Sequence, residues 1–125
     1  MELKRGLVRG IGDAEAVRRA AEAGGWTVFV LPRGIADRVA FFEAVKATLP
    51  LDPPLMGSSS WDALSDSVWQ GLYDHAASRI AIVWMDSSSM SEHELARDVL
   101  EDVAVSLADT ELTCGKPKEV CVVID

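Results

Sequence analysis

Cysteine, histidine and tyrosine are scarce in this chain: two, two and one among 125 residues. Two cysteines, Cys114 and Cys121, make neither a four-ligand zinc site nor the disulfide framework that staples small secreted domains. They read as reduced thiols, with Cys121 packed inside a terminal strand. Long apolar runs are missing as well. The longest, Trp26–Leu31, Ile80–Met85 and Val120–Ile124, fall far short of the roughly 18 apolar residues that a membrane helix takes. The first nine residues carry no apolar core and no small-residue cleavage site of secretory type, so the expected location is the cytoplasm. Positive charge is missing from one part of the chain. Residues 1–50 hold eight Lys/Arg against six Asp/Glu, whereas residues 51–125 hold four against fourteen. The acidic part repels nucleic acid and anionic membranes and attracts basic surfaces, although a solvated surface that merely aids solubility has the same composition.

What is present fits one globular domain. Hydrophobic residues make up 49% and charged residues 26%, outside the disordered range, and the length suffices to bury a core. Residues 13–23 are strong helix formers, with Asp13 as N-cap and Gly24-Gly25 as the stop. A strand is expected at 26–31. Ile35, Val39, Phe42, Val45 and Leu49 recur at helical spacing, predicting an amphipathic helix over 36–49 that Pro50 ends. Residues 51–60, with two prolines, a glycine and three serines, read as loop. A helix follows from Ser60 to about His75, then a strand over 79–85 and a loop over 86–91. Ser91 and Glu94 match a capping box that opens a helix running to about Leu107 or Ala108. Leu95, Val99, Leu100, Val103 and Leu107 are its expected inner side. Gly115 and Pro117 break the chain before a last strand at 119–124. Val/Ile-rich strands separated by helices predict an α/β fold with a three-stranded parallel sheet and right-handed crossovers.

The helix over 61–75 carries the functional signal. At about 100° per residue, Trp61, Leu64, Val68 and Leu72 form a core stripe. Asp62, Asp66, Trp69 and Tyr73 form a second stripe well away from it, flanked by Ser65 and Gln70. Two carboxylates one turn apart repel, and no base on that stripe relieves them. Large aromatics on an outer surface lose apolar burial unless something covers them. The pattern suits a cationic partner that neutralises the acids while the rings anchor the contact. The other reading, left open by the geometry, has Trp69 and Tyr73 packed under the 50–60 loop with the acids as ordinary surface charges.

The run Gly57-Ser-Ser-Ser-Trp-Asp-Ala-Leu-Ser-Asp-Ser-Val68 resembles the barstar family of ribonuclease inhibitors, whose members carry an (aromatic or Leu)-Asp-Ala-Leu-x-Asp-x-(Leu/Val) helix after a glycine and a short polar spacer. The similarity of layout covers about residues 26–125, with residues 1–25 as an N-terminal helical extension packed on the domain. It implies a three-stranded parallel sheet and a cytoplasmic inhibitor of a small basic ribonuclease, monomeric when free, giving immunity to a self-made or delivered toxin. By resemblance, Asp62 and Asp66 stand where substrate phosphates would sit, with Asp66 at the centre. Met56, Gly57, Ser65, Trp69 and Tyr73 join the contact, and an acid of the long helix, Glu101 or Asp102, adds to it. The sequence departs from the family in a spacer one residue longer, in Ser60 for an asparagine and in Leu55-Met56 for an aromatic pair. Ser65 stands where the best-known member has tryptophan. A barstar-fold module regulating a basic protein other than a nuclease is the alternative.

Enzyme readings are weaker, and the expectation is a protein that is not an enzyme and takes no metal or cofactor. Asp62 and Asp66 can reach one ion, but a site needs further ligands, and Asp74 and Asp86 are the other candidates. Gly57-Ser-Ser-Ser-Trp61 is not a nucleophile elbow. His75 and His93 read as surface residues near helix ends. Gly10-Ile-Gly12 and Gly24-Gly25 are judged to lack the strand-before, helix-after context of a phosphate loop.

Overall fold

The computed structural model describes residues 3–55 and 60–125. In chain order the elements are β1 (Gly6–Arg9), α1 (Ala14–Ala23), β2 (Thr27–Val30), α2 (Arg38–Thr48), α3 (Trp61–Asp74), β3 (Arg79–Trp84), α4 (His93–Leu107) and β4 (Glu119–Ile124). The fold is α/β as expected. Among the described residues its sheet has four parallel strands instead of three, in the order β1-β4-β3-β2. The addition is β1: the segment before residue 26 supplies a strand as well as the expected helix. Leu7 and Val8 are too short a hydrophobic pair to announce a strand, and β1 exists because β4 offers it a ladder, with Leu7 opposite Val122 and Val8 opposite Val123.

Alternation along the central strands builds two cores. Ile80, Ile82 and Trp84 of β3 and Val120, Val122 and Ile124 of β4 face α2, α3 and α4. Ala81 and Val83 of β3 and Cys121 and Val123 of β4 face α1, where Val17, Ala21 and Trp26 meet them. Strands buried on both faces must be apolar throughout, which is why β3 and β4 read as continuous runs and not as alternating ones. Helix α1 carries the chain from one edge strand to the other across one face, and the remaining connections step back across the opposite face. That arrangement lets every parallel crossover keep one hand.

Asp13, Asp37 and Ser60 cap α1, α2 and α3, their side chains accepting from the amides of Ala16, Ala40 and Ala63 at 2.9, 2.9 and 3.3 Å. Such caps are worth about 1 kcal/mol each. The expected capping box at Ser91 is not made: α4 starts at His93 after Glu92, which makes no side-chain cap. Two predicted core positions turn outward. Val39 is 58% and Leu95 49% exposed, while Phe41 and Ala96, two and one residues away in α2 and α4, are buried. The rest of each stripe is covered as expected, with Ile35, Phe42, Val45 and Leu49 and with Leu100, Val103 and Leu107 buried, so Val39 and Leu95 stand at the margins of the buried arcs. Cys121 lies inside β4 as read, and burial pushes its thiol up to about 11; Cys114 is an exposed free thiol. Among the described residues no helix is long and apolar enough to cross a membrane.

Candidate protein-binding face

Helix α3 is held on both flanks. On one flank Ser67 and Gly71 receive the chain that follows α2. A Cβ on Gly71 would stand 2.0 Å from the Pro50 carbonyl oxygen, so only glycine lets that segment lie on the helix. The Asp52 amide donates to the Ser67 carbonyl at 3.1 Å, and the buried Ser67 hydroxyl donates to the Pro53 carbonyl. On the other flank lies α4. Trp69 Nε1 donates to Ser106 Oγ at 2.9 Å, Tyr73 donates through its hydroxyl to the Thr113 carbonyl at 2.8 Å, and the two rings stack at 5.0 Å.

This corrects the expected outward stripe. Trp69 and Tyr73 are half-buried and face α4 and the 109–115 turn. Aromatic rings with a polar tip find a partner for the tip when they are covered, and Ser106 and Thr113 supply it. Trp61, placed on the core stripe, is half-buried over Phe41 and Phe42, with the Arg38 guanidinium 5.2 Å above its ring.

The acids stay outside. Asp62 and Asp66 are both exposed, and at about 100° per residue they project within about 40° of each other. Among the described residues neither carboxylate takes a side-chain hydrogen bond or an ion pair. The contacts from Trp69 to Ser106 and from Tyr73 to Thr113 advance along both segments together, so α3 and α4 run in the same direction. Counting one turn back from the Trp69–Ser106 contact on both helices pairs Asp66 and half-buried Ser65 with residue 102 of α4. There the two candidate acids separate. Asp102 is exposed and lies within about 40° of Ser106, on the side of α4 that faces α3. Glu101 projects about 140° from Ser106. That is the flank where Ala104 and Val105 border a hollow beside Arg5 and Gly6 of β1. Asp62, Ser65, Asp66 and Asp102 therefore belong to one face, and Glu101 does not. Met56 and Gly57 lie outside the described residues.

The remaining candidates hold structural positions. No three His, Cys, Asp or Glu side chains are grouped as a metal site would need, among the described residues. Asp74 accepts from Gln70 at 2.9 Å, and Asp86 accepts from the Gly34 amide at 3.1 Å. His75 Nδ1 accepts from the Ala77 amide at 3.0 Å, and His93 Nδ1 lies 2.9 Å from the Met90 carbonyl. Gly10-Ile-Gly12 does have a strand before it and a helix after it, contrary to expectation. It is still no phosphate loop, because the Asp13 carboxylate already occupies the first turn of α1, where an anion would bind.

A cluster that sequence reading missed ties β4 to the turn before α4. Asp125 accepts from the Ser87 amide at 3.2 Å, from the Ser87 and Ser88 hydroxyls at 2.7 and 2.8 Å, and pairs with Arg97 at 3.4 Å. Partial burial pushes its carboxyl up, but the serine hydrogen bonds and the Arg97 charge outweigh that and hold it down to about 2. Nothing in the spacing of residues 87, 97 and 125 signals this contact.

No family model, curated protein or solved structure matches the chain.

Proposed function

We propose that the chain is a barstar-like inhibitor of a small basic ribonuclease, acting in the cytoplasm and covering the enzyme's active site with the face formed by α3 and α4. The observation that carries this reading is the pair Asp62 and Asp66, exposed on one side of α3 with no cation beside them among the described residues. Two like charges one turn apart repel mildly in the free protein and become favourable once a cationic pocket encloses them. Asp66 occupies the centre, Asp62 lies one turn toward the start of the helix, and Asp102 adds a third carboxylate from α4. Ser65, half-buried beside Asp66, joins the proposed contact. Because the Trp69 and Tyr73 rings are engaged with α4, the contact depends more on charge than on aromatic anchoring.

The test is titration of purified basic microbial ribonucleases with the protein, reading RNA cleavage and association rate. The expected result is loss of cleavage at one inhibitor per enzyme, with association slowing about tenfold or more between 50 and 500 mM salt, as charge steering requires. Tight binding to a basic protein without nuclease activity would support the alternative regulatory role. Failure to bind any basic ribonuclease, or association indifferent to salt, would remove the inhibitor reading.

A further inference from the structure

Two hollows of about 390 Å3 each adjoin at Arg5 and Ala108, near the amino ends of the strands. One is lined by three cations, Arg5, Arg79 and Lys118, by the hydroxyl residues Ser78 and Thr110, and by a single carboxylate, Glu119. In a chain of net charge −8 this is an unusual concentration of donors. The second is lined by Gly6, Ala104, Val105 and Ala108 and by one carboxylate, Asp109, which accepts from the Glu111 and Leu112 amides at 2.8 and 3.0 Å; Val105 is 62% exposed at its lip.

The cations are placed, not loose. Arg79 lies 4.4 Å over the Trp26 ring, donates to the Gly24 carbonyl at 2.7 Å and is 3.5 Å from Glu119. The Lys118 ammonium donates to the His75 carbonyl and to the Ala77 carbonyl at 2.7 Å, which leaves one of its three protons uncommitted. These bonds meet the partial negative charge at the ends of α1 and α3. Arg5 is exposed and has no hydrogen-bond or ion-pair partner among the described residues, so its guanidinium is available at the point where the hollows join. Burial pushes the Lys118 ammonium below its ordinary value although the Asp74 charge partly opposes this, and a bound anion would offset the remaining cost.

Parallel sheets ordinarily take anions at the opposite end, where helices begin. Here Asp13 and Asp37 fill the first turns of α1 and α2, and Asp86 and Asp125 line the neighbouring strand ends. That end excludes an anion. The size of each hollow falls within the range of small-molecule sites.

We propose that the paired hollows bind a small phosphomonoester with a flat or apolar body, the phosphate among Arg5, Lys118, Ser78 and Thr110 and the body against Gly6, Ala104 and Val105. This does not depend on the inhibitor reading. The probe is AMP, with inorganic phosphate and adenosine as its two halves, followed by amide chemical shifts and calorimetry on the full chain. AMP should bind with a dissociation constant of about 1 mM or below, and each half at least tenfold more weakly. Arg5→Glu, a change at an exposed side chain, should weaken AMP tenfold or more. Val105→Asp should weaken AMP but leave phosphate unchanged, and Asp66→Ala should leave AMP binding unchanged. Adenosine or phosphate binding as tightly as AMP would overturn the proposal. So would an Arg5→Glu protein that binds AMP normally, or no shift changes at residues 5, 78, 105 and 118 at AMP concentrations of about 5 mM.

Discussion

Helices α1 and α3 lie on opposite faces of the sheet, and both carry carboxylates on their outer sides. They dispose of them differently. On α1, Glu15 and Glu22 clasp Arg18, and Arg19 reaches Glu15 at 3.2 Å. The Arg18 hydrogen bond holds the Glu15 carboxyl below its ordinary value and raises the guanidinium in turn. On α3, Asp62 and Asp66 have no such partner among the described residues. A helix that neutralises its own charges at i+3 and i+4 needs nothing else on that surface. One that leaves them unneutralised, yet is pinned on both flanks, presents a fixed negative pattern to something outside the molecule.

The pinning gives the first way to break this comparison, and the largest effect. Helix propensity alone says Gly71→Ala should stabilise α3 by about 1 kcal/mol. The Pro50 carbonyl in the space of the new methyl says the opposite, and overpacking of that kind costs about 2–3 kcal/mol. Chemical denaturation decides the sign, and a stabilised variant would mean that the 50–55 segment does not press on α3. The second test asks how far the unneutralised pattern extends. Asp102→Ala should weaken binding to a basic ribonuclease about tenfold, or about 1.4 kcal/mol, and Glu101→Ala less than about threefold. Equal losses would erase the distinction between the two sides of α4.

The third test uses an acid that, like those of α1, is satisfied within the chain. The Asp125 carboxyl is held at about 2 against an ordinary 3.8, so its contribution is present above the ordinary value and fades as pH falls from about 4 toward 2. Discounted for partial exposure, Asp125→Asn should cost about 1 kcal/mol at neutral pH, and the gap from the parent protein should close near pH 2. Urea midpoints at pH 7 and pH 2 measure it, and a gap that persists in acid would show that the lost contacts do not depend on the carboxylate's charge.

The three expected strands could be read from sequence because β3, β4 and most of β2 are Val/Ile-rich runs bounded by glycine, proline or polar loops. The helices could be read from spacing and caps, since Asp13 and Ser60 announce their own positions. Strand β1 could not, because its apolar content is two residues and its ladder partner lies more than a hundred residues away. The two acids of α3 were legible because a stripe of a regular helix follows from spacing. The directions of Trp69 and Tyr73 were not, since they depend on Ser106 and Thr113, which sequence places far along the chain. Leu95 and Val39 failed for a related reason: their stripes do face the core, but helical period does not fix where the buried arc ends. The cations Arg79 and Lys118 border strand starts and so share one end of a parallel sheet by sequence alone, but Arg5 joins them only once β1 is known.

The most direct measurement compares binding of a basic ribonuclease to the parent protein, to Asp66→Ala and to Glu22→Ala, with circular dichroism verifying that all three are folded. Asp66→Ala should weaken binding at least a hundredfold, equivalent to about 2.7 kcal/mol, while Glu22→Ala, at a carboxylate already clasped by Arg18, should leave it unchanged. A loss below about threefold at Asp66, or equal losses at the two helices, would contradict the assignment of α3 as the binding element.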